Sequence, residues 1–135
     1  MRRSSCCITF YSNIDPMPTE SSLQTSLLLA APQRLPELRL FRRNVVVAQH
    51  GDRQTRAGLK GQADLYGYVR GGTVIELELK GHRTAVSPEQ KAWAAWCAEW
   101  GVPFLLLRAR GGESAEETVE RWLGEIEAVV RAPRS

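Results

Sequence analysis

Two strand-like runs, Ala63–Val69 and Thr73–Lys80, stand either side of Gly71-Gly72, and no other stretch constrains the fold as much. Apolar and aromatic runs of this length joined by paired glycines read as a β-hairpin, because glycine reaches the positive φ of tight turns. In the second run Ile75, Leu77 and Leu79 alternate with Val74, Glu76, Glu78 and Lys80. Successive strand side chains leave opposite faces, so one face is apolar and the other charged. Asp64 opens the first strand, and the hairpin brings the end of the second strand back beside it.

The rest of the chain wraps this hairpin. Glu20–Ala31 reads as a helix, with Leu23, Leu27 and Ala30 on one face and Pro32 as its stop. Leu38–Phe41 and Val45–Gln49 read as a strand pair or one bent strand, and His50–Gly61 as a polar loop. Ser87-Pro88-Glu89-Gln90 has the form of an N-cap, a proline in the first turn and a capping-box Gln. Trp93, Trp96, Cys97 and Trp100 follow at helical spacing and predict a buried stripe ended by Gly101. Phe104–Leu107 reads as a buried strand, and Glu113–Val130 as a last helix with Val119, Trp122, Leu123, Ile126 and Val130 inward. The order α β β β α β α predicts a mixed α/β fold, a mixed β-sheet flanked by helices.

With 135 residues, 43% hydrophobic, the chain suits one domain, expected over residues 19–131 after a flexible tail at 1–18. Met17 reads as an alternative start, which would leave residues 1–16 untranslated. No apolar run approaches the roughly 20 residues of a membrane span, and Cys6–Tyr11 is too short for a secretory signal. Cys6, Cys7 and Cys97 have no zinc or disulfide-framework spacing. A reducing, cytoplasmic setting is expected.

Charge is polarised along the chain. Ten basic residues and five acidic ones lie between Arg34 and Arg83, whereas Glu113–Glu127 holds six Glu and one base. A basic middle suits a polyanion partner. Two solvated faces would give the same count.

Asp64, Glu78 and Lys80 carry the chemistry. Adjacent carboxylates repel unless a cation sits between them, and hard oxygen donors of this kind suit Mg²⁺, with Mn²⁺ as substitute. A bound ion lowers the pKa of its water and offsets charge developing on a phosphate. Lys80 would orient the water or balance that charge, and the set describes hydrolysis of a phosphodiester. Register is the test. A two-residue Gly71-Gly72 loop would pair Arg70 with Thr73 and turn Glu78 away from Asp64. The site therefore requires a three-residue loop or a bulge, with Asp64 opposite Lys80 and Tyr66 opposite Glu78. Glu76 shares the face of Glu78, as a further metal ligand or a solvent-facing acid. Arg42, Arg43, Lys60, His82 and Arg83 are the candidate phosphate contacts. Ser87 is a cap, with no His–Asp pair to make it a nucleophile.

Gly61-Gln-Ala-Asp64, Val74-Ile-Glu-Leu-Glu78-Leu-Lys80-Gly81, Ser87-Pro-Glu-Gln90-Lys-Ala-Trp93 and Gly101-Val-Pro-Phe104, in this order, resemble the PD-(D/E)XK nuclease superfamily, and most of all its VRR-NUC (virus-type replication-repair nuclease) branch. The resemblance runs from about Glu20 to Leu107. It implies a restriction-endonuclease-like core and a Mg²⁺-dependent DNA endonuclease in replication, recombination or repair, selective for branched DNA and resembling junction resolvases. By the same resemblance Asp64 and Glu78 are metal ligands, the Leu79 backbone carbonyl a third, and Glu20 an acid that completes the site. Lys80 is then the catalytic lysine and Gln90 a neighbour of the site. Ala63 departs from the pattern, standing where many members have Pro. Stand-alone domains of this length suggest a bacterial or phage protein, acting as a homodimer so that two sites meet a duplex. A DNA-binding module without turnover, and an accessory protein using its acidic C-terminal helix, are the readings from other classes.

Overall fold

The structure, a computed structural model, describes residues 18–44 and 46–133, with the side chains of 46–48 and 55–57 left aside. The tail expected over 1–18 therefore lies outside the described residues, Pro18 excepted, as does the alternative start at Met17. Helix α1 spans Glu20–Arg34, opened by Thr19, whose hydroxyl accepts the Ser22 N–H at 3.0 Å. Pro32 does not stop it. The proline sits in the last turn, where only the bond from its missing N–H is lost, and the Leu35 N–H closes the helix on Ala31 C=O at 2.7 Å.

Strands β1 (Leu38–Arg42), β4 (Leu65–Val69), β5 (Thr73–Lys80) and β6 (Phe104–Arg108) form one sheet in the order β1-β4-β5-β6. The first two pairings are antiparallel and β5–β6 is parallel, so the sheet is mixed. Helix α2 (Pro88–Glu99) makes the crossover that the parallel pair requires. Between β1 and β4 the chain forms a separate hairpin, β2 (Val46–His50) with β3 (Arg53–Ala57). The polar loop expected over His50–Gly61 thus contains a strand. Arg53–Ala57 has no apolar alternation to announce it, because the two-stranded ribbon lies outside the main sheet.

Helices α1 and α3 (Ala115–Val130) cover one face of the sheet. Leu23, Leu27, Trp122 and Ile126 pack there against Ile75, Leu77, Leu79 and Leu107, all essentially inaccessible. Ser114 and Glu117 form a capping box at the start of α3. Arg34 pairs with Glu120 and Glu127, tying α1 to α3. No helix among the described residues is long and apolar enough to cross a membrane.

The hairpin loop is Arg70-Gly71-Gly72, three residues, with both glycines at positive φ (105° and 104°) and the Gly72 N–H donating to Val69 C=O at 3.0 Å. The parity required for Asp64 and Glu78 to share a face is present. The partners differ from the expected ones by two positions: Tyr66 lies opposite Glu76, and one step further Asp64 comes opposite Glu78 rather than Lys80. The turn takes no bulge, so the strands pair down to Val69 and Thr73.

The charged face of β5 is not solvated. Helix α2 lies over it, and Glu76, Glu78 and Lys80 are 5%, 2% and 6% exposed. The tryptophan stripe, by contrast, is not core. Cys97 is buried and Trp93 half-buried, but Trp96 and Trp100 are 42% and 68% exposed. The helical period finds the stripe but not the extent of the sheet beneath it, and α2 runs beyond what the sheet can cover.

Candidate active site

Strand β5 outruns β4. Leu65 is the last β4 residue paired with β5, so the Leu79 N–H reaches past the end of β4. The Asp64 carboxylate takes the place of the missing strand and accepts that N–H through Oδ2 at 2.9 Å. A residue's two backbone groups point to the same neighbouring strand, so the Leu79 carbonyl shares this edge with Asp64. Arg43 N–H donates to Asp64 C=O at 2.9 Å and fixes the residue from the β1 side.

Glu78 stands at the centre. Its Oε2 accepts from Gln90 Nε2 at 3.0 Å and lies 4.0 Å from Lys80 Nζ. Its Oε1 is buried with no hydrogen-bond partner among the described residues. Burial, then the charge of the neighbouring Asp64 carboxylate, push the Glu78 carboxyl up to about 8, against the opposing pull of Lys80. Glu20 adds a further upward push, so its charge reaches the site from α1. Glu20 Oε2 also accepts from Gly81 N–H and Thr84 Oγ1, both at 2.8 Å, which clamps the loop following Lys80.

Gln90 serves two ends at once. Its Oε1 accepts the Ser87 N–H at 2.9 Å, closing the capping box, while its Nε2 holds Glu78. The cap orients the amide, and the amide orients the carboxylate. One turn later Trp93 Nε1 donates to Glu76 Oε1 at 3.0 Å. Glu76 is neither solvent-facing nor free for a metal, since Arg43 grips it with two hydrogen bonds of 2.6 and 2.9 Å.

The expected phosphate contacts divide. Arg43 is committed to Glu76 and stacked over the rings of Tyr66 and Trp93, at 4.8 and 5.8 Å from their centroids, so it is a structural cation. Arg42 alternates to the sheet face that carries Leu38 and Leu40, away from Glu78. Lys60 is exposed, with a loose 4.0 Å contact to Glu89. His82 and Arg83 are exposed in the loop clamped by Glu20, and His82 packs against Gly111. These three remain accessible to a polyanion.

Because Arg43 and Glu76 are desolvated together, Arg43→Ala is expected to cost about 2 kcal/mol by stranding a buried carboxylate that keeps only its bond from Trp93. Urea denaturation checks this; an unchanged midpoint would remove the structural role assigned to the pair.

Sequence reasoning missed three supports. Trp93 follows Gln90 at the i+3 spacing that puts both on one helical face, a signal obscured by reading the tryptophans as core. Arg108 donates to Gly81 C=O at 3.0 Å and Thr84 C=O at 2.7 Å, and with Glu20 it fixes the loop after Lys80. Thr84 and Arg108 have no local sequence signature, because their partners come from distant segments. A cavity of about 560 Å³ lies at the other end of β4 and β5, around Val69, Thr73 and Val129, and has no ionisable side chain among its lining residues.

Whether a divalent ion fits here is decided by the donors. Among the described residues no three or more His, Cys, Asp or Glu side chains are gathered into a complete metal cage. Mg²⁺ does not require one, since it keeps several waters and commonly takes one or two carboxylates plus substrate phosphate. An unpartnered, buried Glu78 oxygen beside Asp64 is a donor pair of that kind. Asp64, Glu78 and the Leu79 carbonyl fit the ion, with Glu20 nearby but engaged with the loop. Compared with family models, with curated proteins and with solved structures, the chain finds no match.

Proposed function

We propose that the protein is a metal-dependent DNA nuclease of the PD-(D/E)XK type, resembling the VRR-NUC branch, built on a restriction-endonuclease-like core and acting on branched DNA. One observation carries this reading: where β5 outruns β4, Glu78 buries one carboxylate oxygen, Oε1, with no partner among the described residues, beside the Asp64 carboxylate and with its other oxygen 4.0 Å from Lys80 Nζ. Stability alone gives no reason to bury a carboxyl beside a second one, where it can ionise only at a cost. A site that must receive a cation does.

Mg²⁺, or Mn²⁺ in its place, would supply an activated water and neutralise charge on the scissile phosphate. Asp64 and Glu78 would hold it, with Leu79 offering its carbonyl. The chain's own side chains do the rest. Gln90 keeps the Glu78 carboxylate aimed, and Lys80 stands where it can hold a water or meet negative charge gathering on the phosphate. Lys60, His82 and Arg83, all exposed, would serve as sequence-independent backbone contacts. A duplex severed on both strands needs two such centres, which a homodimer would supply. A setting in the cytoplasm of a bacterial or phage-infected cell accords with this role.

The test is a panel of nicked, flapped, four-way and linear DNA incubated with Mg²⁺, Mn²⁺ or EDTA. Cutting in Mg²⁺ that EDTA abolishes is expected. A gel shift with no cutting under any metal would replace this reading with that of a DNA-binding module.

A further inference from the structure

Trp93, Trp96 and Trp100 form a continuous ladder along α2, with ring centroids 4.9 and 5.7 Å apart and interplanar angles of 17° and 28°. The outer two rings are open to solvent, Trp100 at 68%. Large aromatic faces left open in this way mark a binding surface more often than an accident of packing. The ladder begins at the acidic row, because Trp93 donates to Glu76 and Gln90 to Glu78. From Trp93 to Trp100 it runs roughly 10 Å along the helix axis at the helical rise per residue. A groove of about 450 Å³ lies alongside, lined by Leu59, Lys60, Glu89, Trp93 and Trp96. The groove's other wall is the segment that leads directly to Asp64. That wall is held against α2 at Gly61, where a Cβ would come within 2.5 Å of the Glu89 backbone.

We propose that this ladder binds the unpaired bases of a single DNA strand leading into the acidic site, an inference that rests on reading that site as a nuclease. Indole faces take flat rings, and a duplex keeps its base faces stacked inside, so only unpaired bases can use them. Lys60, exposed and only loosely held by Glu89, stands in the groove to meet a phosphate of the same strand. A second copy of this chain is the competing occupant. It would have to desolvate Lys60 and Glu89, which line the groove beside Trp93 and Trp96, whereas interface cores are depleted of charge.

Tryptophan fluorescence in EDTA tests this without cleavage, using an oligothymidylate of about ten nucleotides and an abasic strand of the same length. The oligothymidylate is expected to quench the ladder and to bind more tightly than the abasic strand. Trp100→Ala should weaken oligothymidylate binding at least about fivefold, and Trp100→Phe should retain most of it. Trp100 is too exposed for its loss to unfold the core, and circular dichroism checks that. No quenching, equal binding of the abasic strand, or unchanged affinity in Trp100→Ala would overturn the proposal. So would light scattering that finds a dimer which Trp100→Ala splits without changing oligonucleotide affinity. A protein that binds the strand in EDTA but cuts nothing in Mg²⁺ would sink the nuclease reading and leave the ladder's affinity for bases standing.

Discussion

Replacing Lys80 by Met is expected to slow Mg²⁺-dependent cleavage by at least about a hundredfold, the usual cost of deleting one positioned transition-state donor or cation. The chain devotes unusual structure to this lysine. It is 6% exposed and stands on the last residue of β5, and its own carbonyl accepts the Ala109 N–H at 2.9 Å. The loop that follows it is tied by Glu20 to Gly81 and Thr84, and by Arg108 to the same two residues. The ammonium is thereby held at 4.0 Å from Glu78, too long for a strong ion pair and short enough to act on whatever Glu78 binds. Methionine keeps the apolar stem and removes only the charge, so the variant should fold; its far-UV circular dichroism should match the parent. Initial rates on a nicked or flapped duplex measure the loss. A Lys80→Met protein that cuts at the parental rate would show that the lysine is structural, and cutting that survives EDTA would remove the metal from the mechanism.

The sequence announced the parts of this site that depend on local pattern and hid the parts that depend on distance. The hairpin, the side-chain parity and the Ser87–Gln90 capping box were legible, because turn chemistry, strand alternation and helix starts are written within a few residues of one another. The pairing itself slipped by two positions, since parity fixes which face a residue takes but not which residue stands opposite. The Arg53–Ala57 strand is invisible because Arg-Gln-Thr-Arg-Ala carries no apolar alternation. The tryptophans failed for the opposite reason. Their period was real, but periodicity records which side of a helix is apolar and is silent on how far the underlying sheet extends. From sequence Arg43 reads as a phosphate contact, because its partner, Glu76, lies far away in the chain and the pairing exists only once β1, β4 and β5 are assembled.

That assembly gives the acidic row two different fates. Glu76 and Glu78 sit two residues apart on one face, both almost completely buried, yet Glu76 is neutralised by Arg43 and satisfied by Trp93 while Glu78 retains a bare oxygen. The contrast makes Glu78 a position where the fold leaves charge uncompensated, next to one where it does not. Removing that imbalance, by protonation, by substitution or by an ion, should stabilise the protein.

Without metal, stability should therefore fall as pH rises from about 4.5 to about 8. The sign follows from linkage. In the unfolded chain Glu78 loses its proton near its ordinary value of 4.5, while in the folded protein burial and Asp64 hold the proton on until about 8. Between those values the folded state binds more protons than the unfolded state, so raising the pH favours unfolding. Each unit is worth about 1.4 kcal/mol, and allowing for water at the rim of the site the loss should total roughly 3 kcal/mol. Other shifted groups act elsewhere on the pH scale. The Arg121 guanidinium holds Glu113 down to about 2, so its contribution is complete above 4.5 and disappears only in acid, and burial pushes the Cys97 thiol above its usual 9. Asp64→Asn should flatten the slope and melt several degrees above the parent at pH 8 in EDTA, because an amide can still accept the Leu79 N–H while its charge beside Glu78 is gone. Mg²⁺ at about a hundred times its Kd should return about 2.7 kcal/mol to the parent at pH 8. It should return less at pH 6, where binding must first displace the Glu78 proton, and little to Asp64→Asn. Melting curves in EDTA and in Mg²⁺ across pH 5–8 measure all of this. A parent whose metal-free Tm stays level or climbs through that range, or an Asp64→Asn variant that melts below it at pH 8, would mean that the two carboxylates are not the strained pair from which the nuclease reading starts.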